Sequence, residues 1–195
     1  MKRLIFILIL SVWFQPSVCV HAENPDENHL FEWNTLPDLP DHGIAGAFSS
    51  RVGRHLVLGG GTRFEASQWN SEKIWCDRIL SLDLMDSESG WKEERITLPD
   101  GCAYGISISL PDGSALWIGG AGATGHSSRV LHLEMIDDVL RMKEIEPLPL
   151  PLAYATGTIV DGVVYLYGGR SDPAGGASNQ LFAFDIGDMA SDWKS

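Results

Sequence analysis

The stretch LAYATGTIVDGVVYLYGGRSDPAGGASNQLFAFDI, residues 152–186, decides how the rest of the chain is read. An apolar β-rich segment runs into Asp161-Gly162. A second apolar run, residues 163–167, stops at Gly168-Gly169, and a polar loop leads to a third run at 180–184. An Asp-Gly pair between two β-rich runs is a strong hairpin signal, because a primed turn requires positive φ at its central residues. The unit is therefore an antiparallel meander. It occurs twice more upstream, at 103–135 (AYGISISLPDGSALWIGG, then VLHLEM) and at 44–84 (IAGAFSSRVGRHLVLGG, then ILSLDL). Each copy has a turn, at Pro111-Asp112-Gly113 or Val52-Gly53, and an apolar strand that ends in paired glycines, Gly119-Gly120 or Gly59-Gly60.

A repeat of roughly 50 residues whose second strand ends in Gly-Gly is the signature of a kelch-type β-propeller. The fold class is all-β, with four-stranded blades predicted at residues 42–95, 102–146 and 152–195, the last incomplete, in a partial propeller over 23–195. Residues 30–36 are placed to supply the outer strand of a closing blade. Glycine suits a strand end where a twisted blade bends sharply. Trp91, Trp193 and Trp33 read as apolar packing groups at outer strands. Propellers close with about four to eight blades, and a shorter set leaves an open edge and an uncovered face. The expectation is part of a six-bladed protein, because the chain stops at Trp193-Lys194-Ser195 inside an outer strand; assembly of two copies is the alternative.

Met1-Lys2-Arg3, the apolar run 4–13 and Val20-His21-Ala22 read as a removable signal peptide over 1–22, since the apolar run is far short of the roughly 20 residues of a membrane span. A lipoprotein anchored at Cys19 would need a better lipobox than Pro16-Ser17-Val18. No later segment is long enough to span, so an exported protein, periplasmic or secreted, without stable membrane insertion is expected. Export would allow Cys76 and Cys102 to pair as a disulfide, with two free thiols as the alternative. Neither has a second Cys or His at zinc-finger spacing. A net charge of -12 and a pI near 4.7 argue against a nucleic-acid partner, for lack of a basic face to neutralise phosphates.

In a meander blade, the loops after the second strand and before the inner strand emerge together at the mouth of the central channel, where function is sought. The loops after the glycine pairs supply Arg63, Glu65, Trp69, Glu72, Lys73, Asp77, His126, Arg129, Arg170 and Asp172 as channel-face candidates. The plain alternative for each is a solvated surface residue. Arg63 and Arg170 stand out because both closely follow a Gly-Gly strand end, and a guanidinium fork suits a carboxylate. Tyr104 and Tyr154 recur at one repeat position at the start of the inner strand, and read equally as channel lining or as core. No nucleophile elbow, zinc-protease, P-loop or calcium-loop motif is present. The runs Gly59-Gly60-Gly61 and Gly119-Gly120-Ala121-Gly122 end strands and open no helix, so they are not dinucleotide fingerprints.

Trp33-Asn34-Thr35-Leu36-Pro37, His42 to Phe48, Leu56 to Gly61, Ala103 to Ser107 and Leu116 to Gly120, taken in order, resemble the sialic acid mutarotases, or N-acetylneuraminate epimerases, in a cyclically permuted arrangement. The resemblance covers residues 33–135 best. It implies a six-bladed, exported kelch propeller that exchanges the α and β anomers of N-acetylneuraminate by opening and reclosing the hemiketal ring, with no metal or organic cofactor. One group takes the anomeric proton, another protonates the ring oxygen, and a cation holds the carboxylate of the small-molecule sugar acid. Positioned acid–base groups give roughly 10²–10⁴-fold. The family's Glu and Arg lie in a blade that would fall after Ser195 in this order, so catalytic residues are expected there, and Arg63, Arg170, Tyr104 and Tyr154 are substrate-binding candidates. A kelch module that binds a glycan or protein without catalysis is the competing reading.

Overall fold

A computed structural model describes residues 33–67 and 70–195. The expected signal peptide and the first part of the expected strand at 30–36 lie outside the described residues, and residues 33–36 form no strand. The described residues hold sixteen strands, all within Leu36–Ser195.

The first blade is built from β1 (Phe48–Val52), β2 (His55–Gly59), β5 (Arg78–Asp83) and β6 (Lys92–Thr97), hydrogen-bonded in the order β1-β2-β5-β6. Between β2 and β5 lies a small hairpin of β3 (Thr62–Arg63) and β4 (Ile74–Trp75). The second blade repeats the pattern with β8 (Ile106–Ser109), β9 (Ala115–Ile118), β12 (Val130–Ile136) and β13 (Val139–Ile145). Its own small ladder joins β7 (Cys102–Ala103), β10 (Ala121–Gly122) and β11 (Gly125–His126). The third blade holds β14 (Ala153–Val160), β15 (Val163–Arg170) and β16 (Leu181–Asp185), with an isolated antiparallel bridge between Ala183 and Lys194. Asp161 and Gly162 have φ of 49° and 78°, the two positive values of a primed hairpin turn. Asp137-Asp138 makes the same turn without glycine, at 49° and 57°, and carries no Asp-Gly signal in the sequence.

The blades form an open arc of a kelch-type propeller in which the inner strand β8 packs against both β1 and β14. Hydroxyls close the gap on one side: Ser107 and Ser109 Oγ each accept a hydrogen bond at 3.0 Å, from the Ser49 and Arg51 amides that β1 leaves without a ladder partner. Strand alternation then sorts the core. Ala115 and Trp117 of β9 join Phe48, Val57, Ile79 and Leu133 between the first two blades. Leu116 and Ile118 join Ile106, Val164, Leu166 and Phe182 between the last two. Trp193 closes the second core, stacked on Phe184 at 4.8 Å, with its indole N–H donating to the Glu146 carbonyl at 3.1 Å. Trp91 instead donates to the Pro37 carbonyl at 2.9 Å. The third blade is buried on one face only: Val164 and Leu166 are fully covered, while Tyr165 and Tyr167 between and beyond them are exposed.

Two details differ from the sequence reading. The equivalent positive-φ glycine pairs are Gly60-Gly61, Gly119-Gly120 and Gly168-Gly169, so the first pair is one residue later than Gly59-Gly60. The difference matters because Gly59 has a separate reason to lack a side chain: an added Cβ would fall 2.3 Å from the Trp117 ring. The loops after these pairs are also partly ordered into the small ladders β3-β4 and β7-β10-β11.

His132 is a polar residue placed inside the second core face; it is buried, and neither ring nitrogen has a hydrogen-bond partner. Burial, then the nearby Lys143 charge, holds its pKa below the ordinary 6.5. The folded protein therefore keeps the ring neutral where the unfolded chain protonates it, and the stabilisation present above about pH 6.5 is lost as pH falls below it. We expect the urea midpoint to drop between pH 7.5 and 5.5. His132→Leu should shrink that drop and raise the midpoint at low pH.

Candidate functional site

Each blade enters its inner strand through a residue held in left-handed conformation: Gly46 at φ 67°, Tyr104 at 60° and Tyr154 at 60°. A backbone ladder links them across blades, with the Tyr104 amide donating to the Gly46 carbonyl at 2.7 Å and the Tyr154 amide donating to the Tyr104 carbonyl at 2.9 Å. Positive φ at a bulky aromatic is uncommon and costs about 1–3 kcal/mol, and such strain persists where the surroundings enforce it. Here it aims the rings along the arc. The Tyr104 ring occupies the space that a Gly46 side chain would fill, 2.4 Å from its ideal Cβ position. The Tyr154 ring stacks on Tyr104 at 5.0 Å and 26°. Tyr154 is 51% exposed and Tyr104 is half-buried.

The small ladders bring further groups to this stack. Thr62 pairs with Trp75 across β3 and β4, and Arg63 pairs with Ile74, so the two pairs point to opposite sides of the hairpin. On the tyrosine side, Thr62 Oγ1 and Tyr104 Oη share a hydrogen bond of 3.0 Å, and Trp75 meets the Tyr104 ring edge-on at 6.2 Å. The Lys73 ammonium lies 5.2 Å from the Trp75 ring centre and 5.3 Å from that of Tyr104. From the second blade, His126 meets the Tyr154 ring edge-on at 5.9 Å. Its Nδ1–H donates to the Arg170 carbonyl at 3.0 Å, a tautomer that leaves Nε2 as an acceptor.

The two arginines that looked equivalent in the sequence are not. Ala45, Ala103 and Ala153 pair with Thr62, Ala121 and Arg170 respectively, so Arg170 occupies the position of Thr62 and Arg63 falls one residue later, on the opposite face. Arg63 lines a groove of about 390 Å³ with Asp41, His42, Cys76 and Arg78, and Trp75 forms part of its wall. There the Arg78 guanidinium, 2.9 Å away, holds the Asp41 carboxyl below the usual carboxylate range. Arg170 folds back on its own loop, its Nε donating to the Gly175 carbonyl at 2.8 Å and its Nη2 donating to the same oxygen.

Other candidates are dispersed. Arg129 pairs with Asp100, and with Glu144 at 3.5 Å, in a groove of about 650 Å³. Asp172 Oδ1 accepts the Ala174 amide at 2.6 Å, fixing its own loop. Glu65, Glu72 and Asp77 are exposed, and Trp69 lies outside the described residues. Cys76 and Cys102 are neighbours by backbone, the Cys102 amide donating to the Cys76 carbonyl at 3.1 Å, yet both thiols are free. Cys76 lines the smaller groove and Cys102 the larger. Burial pushes the Cys102 thiol up to about 11, so it is protonated at neutral pH and a poor nucleophile. Among the described residues no cluster of metal-ligating side chains occurs.

The site is thus a ledge of aromatic rings with one cation, one imidazole acceptor and paired hydroxyls, contributed by three blades. Flat faces bordered by directional polar groups suit a polar ring with an anionic substituent. Thr62 and Trp75 were missed in the sequence; the alternation in Lys73-Ile74-Trp75-Cys76 was the available signal.

No family model matches the chain. The N-acetylneuraminate epimerase of Brucella suis is 28% identical over 119 residues, covering 52% of this chain and 29% of that protein. N-acetylneuraminate epimerase 1 of Escherichia coli O6:H1 is 28% identical over 120 residues, 57% of this chain and 32% of that protein. The N-acetylneuraminate epimerase of Vibrio vulnificus is 30% identical over 117 residues, 53% of this chain and 30% of that protein. The matched part of the chain therefore spans about a third of the length of these curated relatives.

Proposed function

We propose that the protein is an exported sialic acid mutarotase, exchanging the α and β anomers of N-acetylneuraminate by acid–base opening and closure of the hemiketal ring, and that the described blades supply part of its substrate mouth. The observation that carries this reading is the convergence of Thr62, Lys73, Trp75, Tyr104, His126 and Tyr154 on one ledge. Partial likeness to three N-acetylneuraminate epimerases supports it. The ledge offers stacking faces for the sugar ring and hydrogen bonds for its hydroxyls; among the described residues it gathers no carboxylate that could pair with an acid in ring opening. In this reading the acid–base pair belongs to a blade outside Leu36–Ser195; the greater length of the relatives is in keeping with that.

NMR of freshly dissolved α-anomer follows the exchange directly. The full-length protein should accelerate it and the 195-residue chain alone should not. An unchanged rate with the full-length protein would replace this reading with a glycan- or protein-binding module.

A further inference from the structure

We infer that Lys73, and neither Arg63 nor Arg170, holds the carboxylate of the sugar acid, on a platform made by Trp75, Tyr104 and Tyr154; this rests on the sugar-acid reading above. Strand alternation is the first argument. Lys73 precedes Trp75 by two residues and so shares its side of the β3-β4 hairpin with Thr62, whereas Arg63 is paired with Ile74 on the other side. The second is commitment: two donors of the Arg170 guanidinium are taken by the Gly175 carbonyl, while Arg63 lines the groove that holds the Asp41 carboxylate and its Arg78 partner, which Trp75 also borders.

The third argument is the setting of the ammonium. Two aromatic rings within 5.3 Å orient it electrostatically and remove water from one side, and the lysine remains exposed on the other. A partly dehydrated ammonium with an open side is suited to a charge-assisted hydrogen bond from its N–H groups to a carboxylate oxygen. From there the ledge continues in two steps, Trp75 to Tyr104 at 6.2 Å and Tyr104 to Tyr154 at 5.0 Å. A pyranose held at its carboxylate by Lys73 would lie along these rings. Its hydroxyls would then reach the Thr62–Tyr104 pair and His126 Nε2.

Titration of the full-length protein with N-acetylneuraminate and with its uncharged methyl ester, read by ligand-observed NMR, separates the contributions. Lys73→Gln should weaken binding of the acid by about tenfold or more and leave the ester unchanged, as expected for a lost hydrogen bond to a charged group. Lys73→Arg should keep most of the affinity for the acid. Equal loss for both ligands, no loss for either, or a loss confined to Arg63→Gln would overturn the assignment while leaving the mutarotase reading in place. If the wild-type protein binds neither ligand, both fail. Because Lys73 is exposed, folding of the variants is not at issue, and an unchanged thermal transition verifies that.

Discussion

Gly119→Ala is expected to destabilise the protein by about 2–5 kcal/mol in urea unfolding, and Gly168→Ala by only about 1–2 kcal/mol, although the two glycines occupy the same place in successive repeats. Both have positive φ, 63° and 74°, so alanine is strained at either by the same left-handed backbone term. Only Gly119 has a neighbour in the way: its added Cβ would lie 2.2 Å from the Leu152 carbonyl oxygen of the next blade. That oxygen accepts the Gly120 amide at 2.8 Å, so moving it aside breaks a bond and leaves an acceptor without its partner. At Gly168 the nearest atom is 3.8 Å away. The first blade provides a replicate, since a Cβ on Gly60 would meet the Cys102 oxygen at 2.1 Å while the Gly61 amide donates to it at 2.8 Å. Equal losses at Gly119 and Gly168 would show that backbone conformation alone accounts for the pair, and the inter-blade clamp would fall.

This clamp was only half legible in the sequence. The repeated Gly-Gly strand ends, the Asp161-Gly162 turn and the alternating apolar runs made the meander and its repetition plain, because those features are local. What the glycines do is a contact between blades, separated by some 30 to 40 residues, and three consecutive glycines at 59–61 concealed which two were equivalent. One glycine serves the Trp117 ring and the next two serve the neighbouring backbone.

The candidate site shows the same division. Tyr104 and Tyr154 are legible as a pair because they recur at one repeat position, and the repeat is periodic. Their stacking depends on left-handed backbone at a non-glycine residue, which sequence propensity disfavours, so its direction was not readable. The short distance of Arg63 from the glycines does not fix its side, because a shift of one residue in a strand sends the side chain to the opposite face. The cysteines show the same limit. Backbone proximity of Cys76 and Cys102 was foreseeable, but the side-chain directions that decide a disulfide are not.

Trp117→Ala should cost about 3–5 kcal/mol, the range for removing a buried large aromatic. The ring is 1% exposed, stacks on Phe48 at 5.3 Å and donates its indole N–H to the Ser50 hydroxyl at 3.0 Å, so its loss opens a void between two blades and strips a buried hydroxyl of its donor. Trp117→Phe preserves the stack and should cost less, about 1–3 kcal/mol, mostly for the stranded hydroxyl. The sharper test is a double-mutant cycle with Gly59→Ala. Gly59 is not among the positive-φ residues, so alanine suits its backbone, and its harm should come from the Trp117 ring atom 2.3 Å from the new Cβ. In the Trp117→Ala background that ring is gone, and the added methyl fills part of the void. Gly59→Ala should then be neutral or stabilising, giving a coupling energy of about 1–3 kcal/mol between the two sites. Losses that add to within about 0.5 kcal/mol would mean that the glycine does not make room for the tryptophan, and that some other contact keeps the side chain off position 59.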